Sequence, residues 1–526
     1  MTEGRLLRSF SIVGGVAALG LCVGLSREIL YGRSFGTGIE LDAFLVAILA
    51  PTLVADILSQ AVAAALLPVL LETREKEGRE ASFVLVSSVL TIVTLLALIA
   101  CTALFFLAPL MVGLVAPGLN AGERALASSL LRWVLPAGLL WSTSGILRAV
   151  HQADGRTTIA ALQSPVTGGV LVLFLIFFTS NVGILAAAWG TVAGHLAFVL
   201  VLLLAMRKEV HGLRPCLRWT PAARKVLLLA GPLVAGMAVA NVRLLVDRFF
   251  GSALAAGTIS ALHYARRIEG MAHIVLGLSV STVLYPFLAR RHSVRDDKGF
   301  STAVERSLIG LTTLLAPLVV VFLCLGEPLV RLLLLRGRFG EESVQRTAQI
   351  LLFLSLGTIP FALNHVLNHA FYARHRVLLP VAVGMGGKVL NVLVCIALVP
   401  RLGAVAIALA ASLDMGATFL VRLGILYRDD PRLSLARLSS PFLRTLIAAL
   451  VAGGAGLVTS GMLDSNSARL VLGSLVIGIT YVVAGLLLGI PGLAALLRRV
   501  PGLFFSGRVA AQGGDPMVRE VPPSHG

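Results

Sequence analysis

Ionisable residues stand where lipid should exclude charge. Arg27, Glu28, Asp42, Asp56, Arg243, Asp247, Arg248, Arg266, Arg267 and Glu269 all lie inside or at the ends of apolar stretches of membrane-spanning length. A charged side chain at the bilayer centre costs roughly 2.5–3.5 kcal/mol on insertion scales, so it faces a wet cavity or a partner. The pattern points to a charged path inside a membrane protein. Other chemistries find little support. No glycine-rich phosphate loop ending in Lys-Ser/Thr is present, so nothing suggests nucleotide hydrolysis, and no enzyme is expected. His365 and His369 are four apart on one helical face, but neither a third ligand nor an HExxH order accompanies them.

The elements that must position these charges are membrane helices. The chain has 526 residues, 57% hydrophobic and only 13% charged, with mean hydropathy +0.92. Soluble domains carry about 25% charged residues. The net charge of +18 sits mostly in short loops between apolar runs, where it sets topology; no separate basic domain exists to bind nucleic acid. Cys22, Cys101, Cys216, Cys324 and Cys395 form no CxxC pair and read as small apolar side chains rather than disulfides or metal ligands. The basic N-terminus before the first apolar run reads as a retained helix, not a cleaved signal.

The hydropathy predicts an all-α polytopic membrane protein with about fourteen spans, at 10–31, 41–71, 83–115, 126–150, 158–179, 183–206, 225–250, 254–288, 306–334, 347–372, 377–399, 403–427, 442–462 and 469–497. Alternate loops are rich in Lys and Arg, such as Arg74, Lys76 and Arg79, whereas the turns at 180–182 and 251–253 have none. The alternation places both termini in the cytoplasm. Residues 506–526, rich in Gly and Pro, read as a disordered tail. An internal repeat is legible: Arg33-Ser-Phe-Gly36 closes the first span and Arg248-Phe-Phe-Gly251 the seventh, while Pro68 and Pro286 close the second and eighth. Odd spans match odd spans, so the halves share one orientation, with a transport path expected between them. Pro51, Pro136, Pro165, Pro232, Pro317 and Pro360 lie within spans and each removes a backbone donor.

With these residues in place the chain resembles the MurJ/MviN family of lipid II flippases, within the superfamily of multidrug and polysaccharide exporters. The resemblance runs from residue 8 to about 500 and is carried by motifs in order. They are Ser26-Arg27-Glu28, Phe35-Gly36, Asp42-Ala43-Phe44, Pro51 with Leu53, Pro68, Ala116-Pro117-Gly118, Gly155-Arg156 and Val246-Asp247-Arg248-Phe249. Arg336-Gly337-Arg338-Phe339 followed by Ala370-Phe371-Tyr372-Ala373-Arg374 is the most specific.

The resemblance implies two six-helix bundles in a V around a cavity, residues 1–215 and 216–430, plus a helix pair at 431–505. It implies movement of an undecaprenyl-pyrophosphate-linked peptidoglycan precursor from the inner to the outer leaflet of the bacterial inner membrane. Partners would be that lipid-linked saccharide, membrane lipids and the cell-wall synthesis machinery. Arg27 and Arg267 match the family's cavity arginines and would clamp the pyrophosphate through paired, permanently charged donors. Asp42 would pair with a cavity arginine. Glu28, Arg266 and Glu269 complete the binding set. No cofactor is implied; energy would come from membrane potential or a coupling cation, Na+ or H+. Asp247 and Asn391 lie where some members hold sodium, and a carboxylate with an amide suits a hard cation. Three departures stand out. Leu21 and Asp56 occupy positions that are usually basic, and the acid expected just after Arg267-Ile268 is displaced to Glu269. Those departures keep another lipid-linked oligosaccharide, and behind it a multidrug exporter, as alternative cargo readings; a non-transporting scaffold would have no use for the buried charges.

Overall fold

A computed structural model describes residues 3–207, 212 and 214–493. Residues 494–505 and the expected tail at 506–526 lie outside the described residues. Every regular element among the described residues is helical: α1 (Glu3–Phe35), α2 (Ile39–Ala47), α3 (Leu49–Ala55), a π turn (Asp56–Ala61), α4 (Val62–Lys76), α5 (Gly78–Phe106), α6 (Ala108–Val115), α7 (Ala121–Ala153), α8 (Thr157–Ala161), α9 (Gln163–Val182), α10 (Leu185–Ala205), α11 (Pro221–Ser252), α12 (Thr258–Ser293), α13 (Asp297–Leu334), α14 (Glu341–Ser355), α15 (Thr358–Ala373), α16 (Leu378–Leu402), α17 (Ala404–Asp429), α18 (Leu435–Gly461) and α19 (Asn466–Leu487).

Among these residues, 13 helical segments are long and apolar enough to cross a membrane. The remaining expected span, 254–288, falls on the 36-residue helix α12. Such a helix is about 54 Å long. The solvent pattern is inverted relative to a soluble protein. Phe106, Leu378 and Leu487 point outward, while Glu28, Asp42, Asp247, Arg248, Glu269 and Asp414 are buried. An apolar exterior, with charges confined to the inside of an otherwise apolar core, is what a lipid solvent selects.

Proline positions explain the interruptions. Ile48, Leu162 and Gly357 each break a span three residues before Pro51, Pro165 and Pro360. Leu325, the non-helical residue inside α13, stands three before Pro328. Each proline thereby falls in the first turn of the following segment, where its missing N–H costs nothing. Pro136 and Pro232 remain inside continuous helices. Pro68 and Pro286, read as span ends, also lie inside helices that run on to Lys76 and Ser293. Those extensions carry Arg74, Lys76, Arg290 and Arg291, charges that leave the lipid but not the helix. The hydropathy signal stops there and the backbone hydrogen bonding does not.

Start signals are explicit elsewhere. Asn120 and Glu123 form a reciprocal capping box on α7. Thr220 caps α11 with Pro221 in its first turn. In the packing, α7 is central to the first set, with α2, α3, α4, α5 and α10 against it, and α9 joins α10 to α1. In the second set α12 packs on α14 and α15, α17 on α14, α15 and α16, and α11 on α16. The sets meet where α11 lies on α4 and the π turn, α12 on α2, and α1 on α13. The pair α18–α19 packs on α13.

Candidate binding site within the membrane

Glu28 is the centre of the first cluster. It is buried on α1, its side chain 4% exposed. Its Oε1 accepts from Arg27 Nη2 at 2.6 Å and from Arg267 Nε at 3.0 Å. Its Oε2 lies 2.9 Å from His263 Nε2. His263 and Arg267 are four apart, hence on one face of α12. The two expected clamp residues, from helices far apart in sequence, therefore converge on one carboxylate. Two guanidiniums against one carboxylate leave a net positive charge, and Arg267 is half-exposed. Such a centre can exchange a guanidinium contact from Glu28 to a phosphate oxygen without creating an unpaired charge. His263 was not singled out from the scattered histidines; its four-residue spacing from Arg267 was the available signal.

Arg266 and Glu269 do not join that cluster. Neighbouring residues on a helix point about 100° apart. Arg266 turns to α11, where its Nε and Nη2 donate to Asp247 Oδ2 and Oδ1 at 2.5 and 2.6 Å. Glu269 and Arg243 are electrostatic neighbours of this pair. The Arg266 guanidinium is thus held by Asp247 rather than by Glu28. Glu269 balances Arg266 and Arg243 for the same geometric reason.

Asp42 has Arg248 as an electrostatic neighbour. It pairs with no arginine by hydrogen bond among the described residues. Its Oδ2 accepts the N–H of Gly257 and its Oδ1 the N–H of Ser260, both at 2.7 Å. Gly257, the N-cap of α12, has no side chain to do this. The first N–H groups of a helix have no intrahelical partner, and a carboxylate is their best acceptor. Asp42 supplies it from the other set of helices.

Asp247 and Asn391 do not fit a metal cation. Both Asp247 oxygens already accept from Arg266. Asn391 Oδ1 faces the Cys395 thiol at 4.0 Å. No group of three or more His, Cys, Asp or Glu among the described residues is arranged to hold a metal. A hard cation needs several free oxygens.

Near Asp42 the two sets are latched together. Arg338 N donates to Arg33 O at 3.0 Å, Arg338 Nη1 to Glu40 Oε2 at 2.8 Å, and Thr37 Oγ1 meets Ser343 Oγ at 2.6 Å. Gly36 and Gly337 have φ of 60° and 58°. A Cβ on Gly36 would overlap Arg338 O, and one on Gly337 would overlap Arg33 O. The motif Arg336-Gly337-Arg338-Phe339 is therefore the strap across the end of α1. Arg248 adds a further tie, its Nε donating to Leu45 O at 3.2 Å.

Lys388, Asp414 and Arg422 are further charges within the spans that the sequence reading does not single out. Lys388 pairs with the buried Asp414 between α16 and α17. Arg422 Nη1 donates to Asn364 Oδ1 at 2.5 Å and Nη2 to Pro380 O at 2.8 Å. The rule that found Arg27 and Arg267 would have found them. Asp56 sits in the π turn and accepts from Gln60 Nε2 at 2.5 Å.

The sequence signature of the family described as "Lipid II flippase MurJ" matches residues 32–481. A "Probable lipid II flippase MurJ" of Buchnera aphidicola subsp. Acyrthosiphon pisum is 27% identical over 502 residues, covering 92% of this chain and 98% of the relative. A "Lipid II flippase MurJ" of Burkholderia cenocepacia is 26% identical over 445 residues, covering 81% of this chain and 86% of the relative. Among solved structures, "Lipid II flippase MurJ, inward closed conformation" superposes with a TM-score of 0.76 at 20% identity, covering 93% of this chain and 99% of that one. An inward-facing multidrug resistance MATE family transporter gives a TM-score of 0.66 at 14% identity, covering 80% of this chain and 98% of that one. These last two likenesses speak for the fold. The family signature, spanning most of a chain whose intramembrane arginines meet on one buried carboxylate, identifies it: this chain belongs to the lipid II flippase MurJ family.

Proposed function

We propose that the protein carries lipid II, the undecaprenyl-pyrophosphate-linked peptidoglycan precursor, from the inner to the outer leaflet of the bacterial inner membrane by alternating access. The observation that carries this reading is the convergence of Arg27 and Arg267 on Glu28, one from each set of helices. The pyrophosphate competes with Glu28 Oε1 for donors from both arginines, while Glu28 Oε2 keeps His263 as its neighbour. The helices α1–α10 and α11–α17 act as the two moving bundles, with α18–α19 as an accessory pair. Both termini lie in the cytoplasm, so the Gly36–Gly337 latch faces outward and closes that side. Because the clamp bridges the bundles, rocking them apart changes its grip. The drive is the membrane potential or a proton, and cell-wall synthesis enzymes receive the product.

Complementation tests this reading in a bacterium depleted of its own lipid II flippase, at matched membrane levels. Wild type rescues and the Arg27→Ala/Arg267→Ala double variant does not. Rescue by both overturns the clamp. Failure of a well-expressed wild type moves the cargo to another lipid-linked saccharide, with Leu21 and Asp56 as the positions to examine.

A further inference from the structure

A buried quartet of charges lies beside the clamp and belongs to a different device. Arg243 and Asp247 come from α11, Arg266 and Glu269 from α12. Asp247 and Glu269 are buried, and Arg266 is only 10% exposed. Arg266 grips Asp247 through two parallel hydrogen bonds, at 2.5 and 2.6 Å. Arg243 has Arg266, Asp247 and Glu269 as electrostatic neighbours, and Asp414 beyond them. Two guanidiniums and two carboxylates make the quartet neutral by itself. Behind it, Lys388 answers Asp414. A further cation entering this space would be a surplus buried charge with no free carboxylate oxygen on Asp247 to meet it.

We infer that Arg266 is a tethered counter-cation: its guanidinium fills the place beside Asp247 that a free monovalent cation would otherwise take, so the protein binds no sodium there. The guanidinium is the right shape for the task. It spans both oxygens of a carboxylate in one plane and never loses its proton. A sodium ion would need the oxygens of Asp247 freed and further oxygens nearby. On α16 the electrostatic neighbour of Asp247 and Arg266 is a thiol, Cys395, which faces the amide of Asn391. The consequence within the transport reading is that the cycle runs without sodium; the binding claim itself does not rest on that reading.

The test is thermal stability of the purified full-length protein in detergent, titrated with NaCl against N-methylglucamine chloride at constant ionic strength. Wild type should melt at the same temperature throughout. Arg266→Ala leaves Asp247 without its cation, so it should melt lower and recover in a saturable way with guanidinium or sodium. Arg266→Lys, which keeps a tethered cation, should lose most of that response. Asp247→Asn/Arg266→Ala, which removes the acceptor as well, should show none. A saturable sodium-dependent rise in wild type overturns the inference whatever the variants do. So does an Arg266→Ala protein that responds to neither cation while folding. If Arg266→Ala does not fold, the wild-type titration and the Arg266→Lys comparison still decide. Because the readout is binding, its failure leaves the lipid II reading untouched, and failed complementation leaves this inference untouched.

Discussion

Arg27 and Arg267 donate to the same atom, Glu28 Oε1, at 2.6 and 3.0 Å. One carboxylate thereby holds the first helix of one set against the long helix of the other. An incoming diphosphate competes with Glu28 for the same donors. Glu28→Gln keeps the shape and removes the charge. It should leave the two arginines repelling each other and weaken the bridge by about 1–3 kcal/mol, less than for a fully buried pair because Arg267 is half-exposed. The readout is binding of lipid II to purified protein alongside complementation. Unchanged values in both would remove Glu28 from the site.

The latch predicts a conditional lock. Thr37 Oγ1 and Ser343 Oγ are 2.6 Å apart across the two sets, within the geometry a disulfide can adopt after small adjustment. Thr37→Cys/Ser343→Cys should cross-link under oxidation and stop rescue of flippase-depleted cells, and a membrane-permeant reductant should restore it. Full function of the oxidised, quantitatively cross-linked protein would mean that this end need not open.

Asp42 predicts a helix-start effect rather than a lost ion pair. Asp42→Ala removes the acceptor of the Gly257 and Ser260 N–H groups. The loss should be about 0.5–2 kcal/mol, as for other capping residues. It should appear as faster hydrogen exchange at residues 257–261, whereas loss of a charge pair would leave those amides protected.

At the turn joining α12 to α13, the Gly299 N–H and the Arg291 guanidinium hold the Asp296 carboxyl below its usual range. A depressed carboxylate adds stability above its unfolded pKa, about 3.9, and loses it as pH falls through the lower folded value. Asp296→Asn should therefore melt below wild type near neutral pH, and the two curves should converge in acid. A gap that persists in acid below the folded value would assign the effect to shape and not to charge.

Lys388 and Asp414 form a pair whose acid is almost wholly buried, with the side chains 15% and 1% exposed. Lys388→Ala should destabilise by about 3–5 kcal/mol, because it strands a buried carboxylate. Lys388→Met/Asp414→Leu should recover much of that loss. A single variant as stable as wild type would show that Asp414 finds another partner.

Much of this architecture is legible in the sequence because lipid imposes one rule on every helix. Apolar runs gave the spans, and charges within them marked Arg27, Glu28 and Arg267. Even the breaks are readable: those at Ile48, Leu162, Leu325 and Gly357 lie three residues before Pro51, Pro165, Pro328 and Pro360, and the one at Leu107 lies two before Pro109. What one dimension does not carry is direction around the helix axis. Arg266 and Arg267 are adjacent in sequence yet serve Asp247 and Glu28, on α11 and α1. Asp42 reads as a residue at the start of its own helix, yet it caps α12, because its acceptor role depends on how two sets of helices meet. Lys388, Asp414 and Arg422 obey the same charge rule as the residues that were found; nothing physical hid them.

The most direct measurement is the fraction of lipid II reached by an externally added lipid II-cleaving enzyme in cells that depend on this protein alone. Wild type should expose lipid II continuously. Arg27→Ala/Arg267→Ala, present at equal membrane levels, should leave lipid II protected and accumulating inside. Equal exposure in both would contradict the account, because the arginines that meet on Glu28 would then not be what carries the headgroup across.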